Sequence, residues 1–248
     1  MVTETYNLTN ENVTLTKYIL DSSFDHKAGY KRPAVLVCPG GGYGMCSNRE
    51  AEPIAMHFLA MGYNCFVLRY SLNEASAFPQ PLNDADEAMQ MIINNADEWL
   101  VDTEKIAVCG FSAGGHLAAA LGTMGKIRPA AMILGYPCIT KDICNECEVL
   151  KNHATVPTLD DKVDDKTPPA FIFSATDDGL VPLSSSLKFA ESLKNMGIPY
   201  EMHLFSEGNH GFSTADYVTC EGVYQNSAYQ WIALCREWLY KLFYKTID

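Results

Sequence analysis

The sequence is poor in positive charge. Eighteen Lys and Arg stand against thirty Asp and Glu, a formal net charge of -12 at pH 7. A surface of that sign repels polyphosphates, so neither nucleic acid nor an anionic membrane is expected as a partner, and a neutral small molecule suits it better. The chain also lacks any apolar window near the roughly 18 residues of a membrane span. Its opening, MVTETYNLTNENVTLTKYIL, lacks the basic segment followed by an apolar stretch that marks an export signal. A cytoplasmic location is expected. No internal repeat or low-complexity linker interrupts the 248 residues, a length suited to one sizeable core, so a single domain over 1–248 is expected. A homo-oligomer is compatible with that reading.

A paired metal-binding motif is missing too. The nine cysteines are an odd number scattered through strand-like and helix-like segments, among them Cys38, Cys65, Cys109 and Cys235; they read as reduced, mostly buried thiols. Cys144 and Cys147 form one C-x-x-C, with Cys138 and His153 nearby. That group has the residue types of a zinc knuckle or a redox pair, but without a second C-x-x-C no metal and no cofactor are expected.

What is present alternates. Apolar runs at Pro33–Pro39, Asn64–Tyr70, Ile106–Gly110, Ala130–Tyr136, Ala170–Ala175 and Tyr200–Phe205 are bounded by Gly and Pro and separated by helical patterns. This predicts an α/β fold with a mostly parallel central sheet covered by helices on both faces. Val13–Leu20 is expected to add an antiparallel edge strand. Ser47 and Glu50 fit a capping box opening a helix that runs to about Ala60. Ala85, Ala88, Ile92, Ala96 and Trp99 recur at helical spacing. So do Trp231, Leu234, Cys235, Trp238, Leu239, Leu242 and Phe243, which read as core. The stretch 138–169 has no clear period and carries Asp160, Asp161, Asp164 and Asp165. It is expected to form a small cap insertion, or else a solvated surface excursion.

The sharpest local pattern is Gly110-Phe111-Ser112-Ala113-Gly114, directly after the strand IAVCG and opening the helix GGHLAAALGT. In the G-x-S-x-G elbow the serine sits on a strained strand-to-helix turn, whose flanking residues must lack bulk. A serine hydroxyl attacks only when a base takes its proton. Of six histidines, His26 precedes the sheet, His57 lies on the first helix, His116 points away from Ser112, His153 falls in the cap and His203 lies inside a strand. His210, in Glu207-Gly208-Asn209-His210-Gly211-Phe212, follows the last core strand in a glycine-flanked loop and is the candidate base. The acid belongs between them in chain order. Asp177 and Asp178 both close the strand ending at Ala175; Asp178 is chosen, leaving Asp177 as a hydrogen-bonded turn residue. Gly41 and Gly42, in Cys38-Pro39-Gly40-Gly41-Gly42-Tyr43-Gly44, are expected to form an oxyanion hole with the amide of Ala113. A phosphate cradle is set aside because no G-K-[ST] follows.

With these pieces placed, the chain resembles the esterase and lipase branch of the α/β-hydrolases, specifically the group of acetyl esterases, acetyl xylan esterases and sugar hydrolases. The resemblance rests on PGGGY at Pro39–Tyr43, SNREAEPIA at Ser47–Ala55, FVLRYS at Phe66–Ser71, IAVCGFSAGGHLAA at Ile106–Ala119, DDGLVP at Asp177–Pro182 and EGNHGF at Glu207–Phe212. It implies a metal-free esterase that removes acetyl or other short acyl groups, among them those of xylo-oligosaccharides or other acetylated sugars. The related hormone-sensitive-lipase-like enzymes carry H-G-G-G where this chain has Pro39-Gly40-Gly41-Gly42. That departure keeps the amide donors but removes a side chain that helps fix their loop. Tyr43, Arg49 and Tyr136 are candidates to line the acyl or sugar side, each with a structural role as the alternative. The same triad also serves an amidase such as an arylformamidase, and the fold alone would serve a non-catalytic binding protein.

Overall fold

The computed structural model describes residues 1–21, 29–140, 156–220 and 227–244. Eight strands form one sheet: β1 (Val2–Asn7), β2 (Thr14–Ile19), β3 (Arg32–Cys38), β4 (Asn64–Arg69), β5 (Val101–Phe111), β6 (Ala131–Gly135), β7 (Ala170–Ala175) and β8 (Tyr200–Phe205). Their spatial order is β1-β2-β4-β3-β5-β6-β7-β8. The strands from β4 across to β8 run parallel. β3 (RPAVLVC) and β7 (AFIFSA) are buried along their whole length, as expected of strands covered on both faces.

Alternation along each strand divides the core in two. Ala34, Leu36 and Cys38 point to one side, where they meet α2 (Gln80–Asn94), α3 (Ala113–Met124) and α4 (Ser184–Asn195) through Ala85, Leu117 and Phe189. Val35 and Val37 point to the other, against α1 (Glu52–Ala60) and α5 (Trp231–Tyr244) through Phe58 and Trp231. The α/β fold with a mostly parallel, doubly covered sheet is the observed one.

Three expectations change in detail. The segment Val13–Leu20 does become an antiparallel strand, β2, but it is not the edge, because β1 pairs outside it from Val2↔Ile19 to Asn7↔Thr14. β1 (VTETYN) is almost wholly exposed and has no apolar period to betray it. It also serves Lys17, a buried cation whose Nζ lies 2.7 Å from Tyr6 Oη, 2.9 Å from Glu4 Oε2 and 4.9 Å from the centre of the Trp99 ring. Second, α2 ends at Asn94, so Ala96 and Trp99 are buried in the turn beyond it. In α5 the stripe holds for Trp231, Cys235, Trp238 and Leu239, whereas Leu242 is exposed.

Third, no capping box forms. Ser47 makes no side-chain cap bond, Asn48–Glu50 is a turn of 3-10 helix, and α1 starts at Glu52. Glu50 points inward and is used elsewhere.

The stretch 138–169 is described at its two ends. Val156 and Leu159 are buried in the core, the Leu159 amide donates to the Ile139 carbonyl at 3.1 Å, and Arg128 Nη2 donates to Asp164 Oδ2 at 2.9 Å. Its middle, with Cys144, Cys147 and His153, lies outside the described residues, as does His26. Cys138 is buried. Among the described residues no helix is long and apolar enough to cross a membrane.

Candidate active site

The carboxyl ends of β3, β5, β6, β7 and β8 all deliver residues to one place, which parallel strands achieve because they end on the same side of the sheet. β5 leads into Ser112, whose backbone stands at φ 53°, ψ -117°. L-residues rarely adopt that conformation, and it persists only where the surroundings over-determine it. Here they do. A methyl added at Gly114 would sit 2.0 Å from the Cys38 carbonyl oxygen, so helix α3 can touch the end of β3 only without a side chain there.

The hydroxyl thus raised meets His210. Nε2 of His210 lies 2.9 Å from Ser112 Oγ, and Nδ1 lies 2.8 Å from Asp178 Oδ2. A carboxylate only accepts, so Nδ1 carries the proton and Nε2 of the neutral ring accepts from the serine. The Asp178 side chain is 2% exposed. Its other oxygen accepts the amides of Leu180 at 2.9 Å and Val181 at 2.8 Å, which fixes the carboxylate in the turn after β7. Asp177 instead holds the histidine's loop, accepting the amides of Gly208 at 3.2 Å and Asn209 at 2.9 Å. The two aspartates therefore take different partners.

The loop after β3 lies directly over the serine: a methyl on Gly40 would come 2.7 Å from the Phe111 carbonyl oxygen and 3.0 Å from Ser112 Cβ. Gly41 and Gly42 turn at φ 132° and 62°. Among the described residues, the amides of Gly41, Gly42 and Ala113 have no protein acceptor, and Ala113 opens α3, where such amides are unpaired by geometry.

Buried polar groups brace this loop. Glu50, 3% exposed, accepts the Gly40 amide on Oε2 at 2.8 Å and the Tyr136 hydroxyl on Oε1 at 2.6 Å. Burial pushes its carboxyl above the usual range, while these two hydrogen bonds and the nearby Arg49 and His210 pull it back. Tyr43, at φ 59°, donates its hydroxyl to His116 Nδ1 at 2.8 Å, and His116 Nε2 donates to the Pro157 carbonyl at 2.9 Å. Burial holds the His116 imidazole neutral, with its pKa brought down to about 4.

These contacts bear on the two roles open to Tyr43, Arg49 and Tyr136. Tyr43 and Tyr136 are each 1% exposed with hydroxyls engaged inside the protein, so the structure places both as supports rather than on an open acyl or sugar face. Arg49 is half-buried beside the base loop: its carbonyl accepts Ser213 Oγ at 2.5 Å, and a methyl on Gly211 would stand 2.7 Å from its Nη2. The remaining described histidines lie elsewhere, His57 in a cavity of about 400 Å³ between α1 and α5 with Asp216 and Arg236, and His203 in β8 against Glu201 at 2.8 Å. Sequence reasoning missed Glu50 and His116. Glu50 was masked by the Ser-x-x-Glu pattern it completes, and His116 by lying on the helix flank away from Ser112; only the fold shows what each one braces.

The model of the prolyl oligopeptidase family matches residues 79–235, and a BD-FAE family model matches residues 20–133. Among solved structures, an α/β hydrolase enzyme from a Medee basin deep-sea metagenome library is 43% identical with a TM-score of 0.90, over 98% of each chain. An acetyl ester-xyloside bifunctional hydrolase from Caldicellulosiruptor lactoaceticus is 31% identical with a TM-score of 0.80, over 94% of this chain and 89% of that one. An acetylxylan esterase of Xylanibacter ruminicola is 29% identical over 83% of this chain and 48% of its own length. The chain spans 34% and 48% of the first two curated relatives it matches. A fold and strand order of this kind, a serine on a strand-to-helix elbow beside a histidine and a buried aspartate, and 43% identity over nearly the whole of a solved relative lead to one conclusion: the chain belongs to the esterase branch of the α/β-hydrolase family, within the reach of the prolyl oligopeptidase family model.

Proposed function

We propose that this protein is a serine carboxylesterase that hydrolyses short-chain acyl esters, acetyl esters foremost, of small neutral alcohols such as xylo-oligosaccharides and other acetylated sugars. The observation that carries the reading is the unbroken hydrogen-bonded chain from Ser112 Oγ through His210 to Asp178, set beneath a loop whose Gly41 and Gly42 amides have no acceptor among the described residues. His210 Nε2 takes the Ser112 proton as Oγ attacks the ester carbonyl, and Asp178 holds the ring and stabilises the imidazolium that forms. The carbonyl oxygen gains its negative charge next to the amides of Gly41, Gly42 and Ala113. His210 then returns the proton to the leaving alkoxide, and water repeats the sequence on the acyl-enzyme. No metal or organic cofactor enters these steps.

The acetyl preference draws on relatives whose names carry acetyl ester and acetylxylan activity and on the acidic surface, which favours an uncharged substrate. The test is turnover of p-nitrophenyl acetate, butyrate and octanoate and of acetylated xylo-oligosaccharides, with acetyl anilides as the amide control. The expectation is kcat/KM falling from acetate to octanoate, free acetate from the oligosaccharides, little anilide cleavage, and no turnover by Ser112→Ala. Anilides cleaved better than esters would make the protein an amidase. Full activity in Ser112→Ala would end the serine mechanism.

A further inference from the structure

Glu50 is a buried carboxylate that the machinery above leaves unused. Glu50 sits two residues before α1 with its side chain turned under the active site, where a charged group is costly unless its lone pairs are occupied. They are occupied by two groups from different parts of the chain. Oε2 takes the amide of Gly40, the residue that begins the glycine loop and packs against Ser112. Oε1 takes the hydroxyl of Tyr136, which stands at φ 35° just past β6. That hydroxyl in turn accepts the amide of Ser213 at 2.9 Å, three residues beyond His210. The Tyr136 ring meets the His210 imidazole edge to face, with centroids 5.1 Å apart and planes at 67°. The base loop is closed onto the same turn from the other side, since Ser213 Oγ donates to the Arg49 carbonyl and Trp231 Nε1 donates to the Ser213 carbonyl at 2.8 Å.

The geometry points to Glu50 as a positioning residue that ties the oxyanion loop, through Gly40, to the arm that carries His210, through Tyr136 and Ser213. This rests on the esterase reading of the site. The loop lacks a braced side chain of its own at Pro39, and the carboxylate supplies that brace from α1's side.

The residue type follows from the donors. Gly40 N–H and Tyr136 O–H both need acceptors, and a carboxylate offers one oxygen to each. A glutamine offers one oxygen and one NH2, so one of the two contacts must break or reverse. Asp is a methylene too short to reach both. Acylation and deacylation each pass through an oxyanion, so a misaimed loop slows both steps alike, lowering kcat while KM changes little.

The experiment compares wild type, Glu50→Gln, Glu50→Ala and Tyr136→Phe by steady-state kinetics on p-nitrophenyl acetate. The rate at which a fluorophosphonate labels Ser112, and the melting temperature, are followed in parallel. Labelling also drives charge onto an oxygen in the loop but needs no ester turnover. The result expected is a kcat lowered about 10- to 100-fold in Glu50→Gln with KM within about twofold. Labelling should slow by a similar factor, while Tyr136→Phe, which leaves the carboxylate and Gly40 in place, should lose about tenfold. Glu50→Ala should be at least as impaired as Glu50→Gln. The proposal is overturned if folded Glu50→Gln keeps kcat and labelling rate within about twofold of wild type, or if its loss lies in KM alone. If Glu50→Gln does not fold, Tyr136→Phe decides: a rate within twofold of wild type overturns the bridge. Wild type that labels rapidly yet cleaves no ester would refute the substrate reading and leave the labelling comparison to judge Glu50.

Discussion

Asp177 and Asp178 are neighbours with the same chemistry and different partners, so the pair offers a controlled perturbation. Asp178→Asn leaves the volume unchanged but gives the side chain one acceptor where it now serves three donors, the Leu180 and Val181 amides on one oxygen and His210 Nδ1 on the other. If the new NH2 faces His210, the ring must turn over its tautomer, and Nε2 then carries a proton and cannot accept one from Ser112. If the amide flips instead, the Leu180 and Val181 amides lose their acceptor in the turn after β7. The first arrangement is the cheaper in hydrogen bonds, and it disables the base. The loss expected is about 10⁴ in kcat, or roughly 5.5 kcal/mol of transition-state stabilisation. Asp177→Asn keeps an oxygen for Asn209 and surrenders the longer contact to Gly208, worth about 1 kcal/mol, so activity should fall less than about tenfold. The assay is kcat/KM on p-nitrophenyl acetate at pH 8, with thermal unfolding to show that both variants are folded. Equal losses in the two variants, or Asp178→Asn within tenfold of wild type, would refute the assignment.

Four other outcomes are expected. Gly114→Ala drives a methyl to 2.0 Å from the Cys38 carbonyl oxygen and 2.4 Å from that of Pro39; it should lose about 3 kcal/mol in urea unfolding and about a hundredfold in activity. Gly179→Ala, with nothing within 4 Å of the new atom, should stay within about 0.5 kcal/mol of wild type. Ser112→Gly removes the side chain from a conformation at φ 53°, so it should be inactive yet more stable by about 1 kcal/mol; a lower melting temperature would show the elbow to be unstrained. His116 titrates near 4 when folded and near 6.5 when unfolded, so the unfolded chain binds the extra proton between those values and stability falls as pH drops through that window. Wild type should lose on the order of 2 to 3 kcal/mol between pH 7 and 4.5 that His116→Gln does not lose. Parallel pH curves for the two proteins would rule this out.

The amino-acid sequence by itself determined the class of fold and singled out Ser112, Asp178 and His210, the three side chains that the fold joins in one hydrogen-bonded chain. Short apolar runs bounded by Gly and Pro and separated by helical patterns point to parallel strands, and parallel strands end on the same side of a sheet, so Ser112, Asp178 and His210, each just past a strand, converge. The elbow was legible because its steric demand is local: the residues that must be small are the nucleophile's own neighbours. Strands without an apolar period were not legible, and β1 is one, since its stability comes from pairing with β2 and from the Lys17 cation rather than from any pattern in VTETYN. The braces were hidden for a related reason. Glu50 fits a local capping pattern in the sequence but forms no cap in the fold, because Gly40 and Tyr136, 10 and 86 residues away, present two donors to its buried side chain. For Tyr43 and Tyr136 the sequence leaves a lining and a structural role both open, and the fold buries both with their hydroxyls engaged inside the protein. Short-range sterics are written in adjacent residues, whereas the partner of a buried polar atom is set by whichever distant segments the sheet brings to it, and that was decided by the tertiary structure alone.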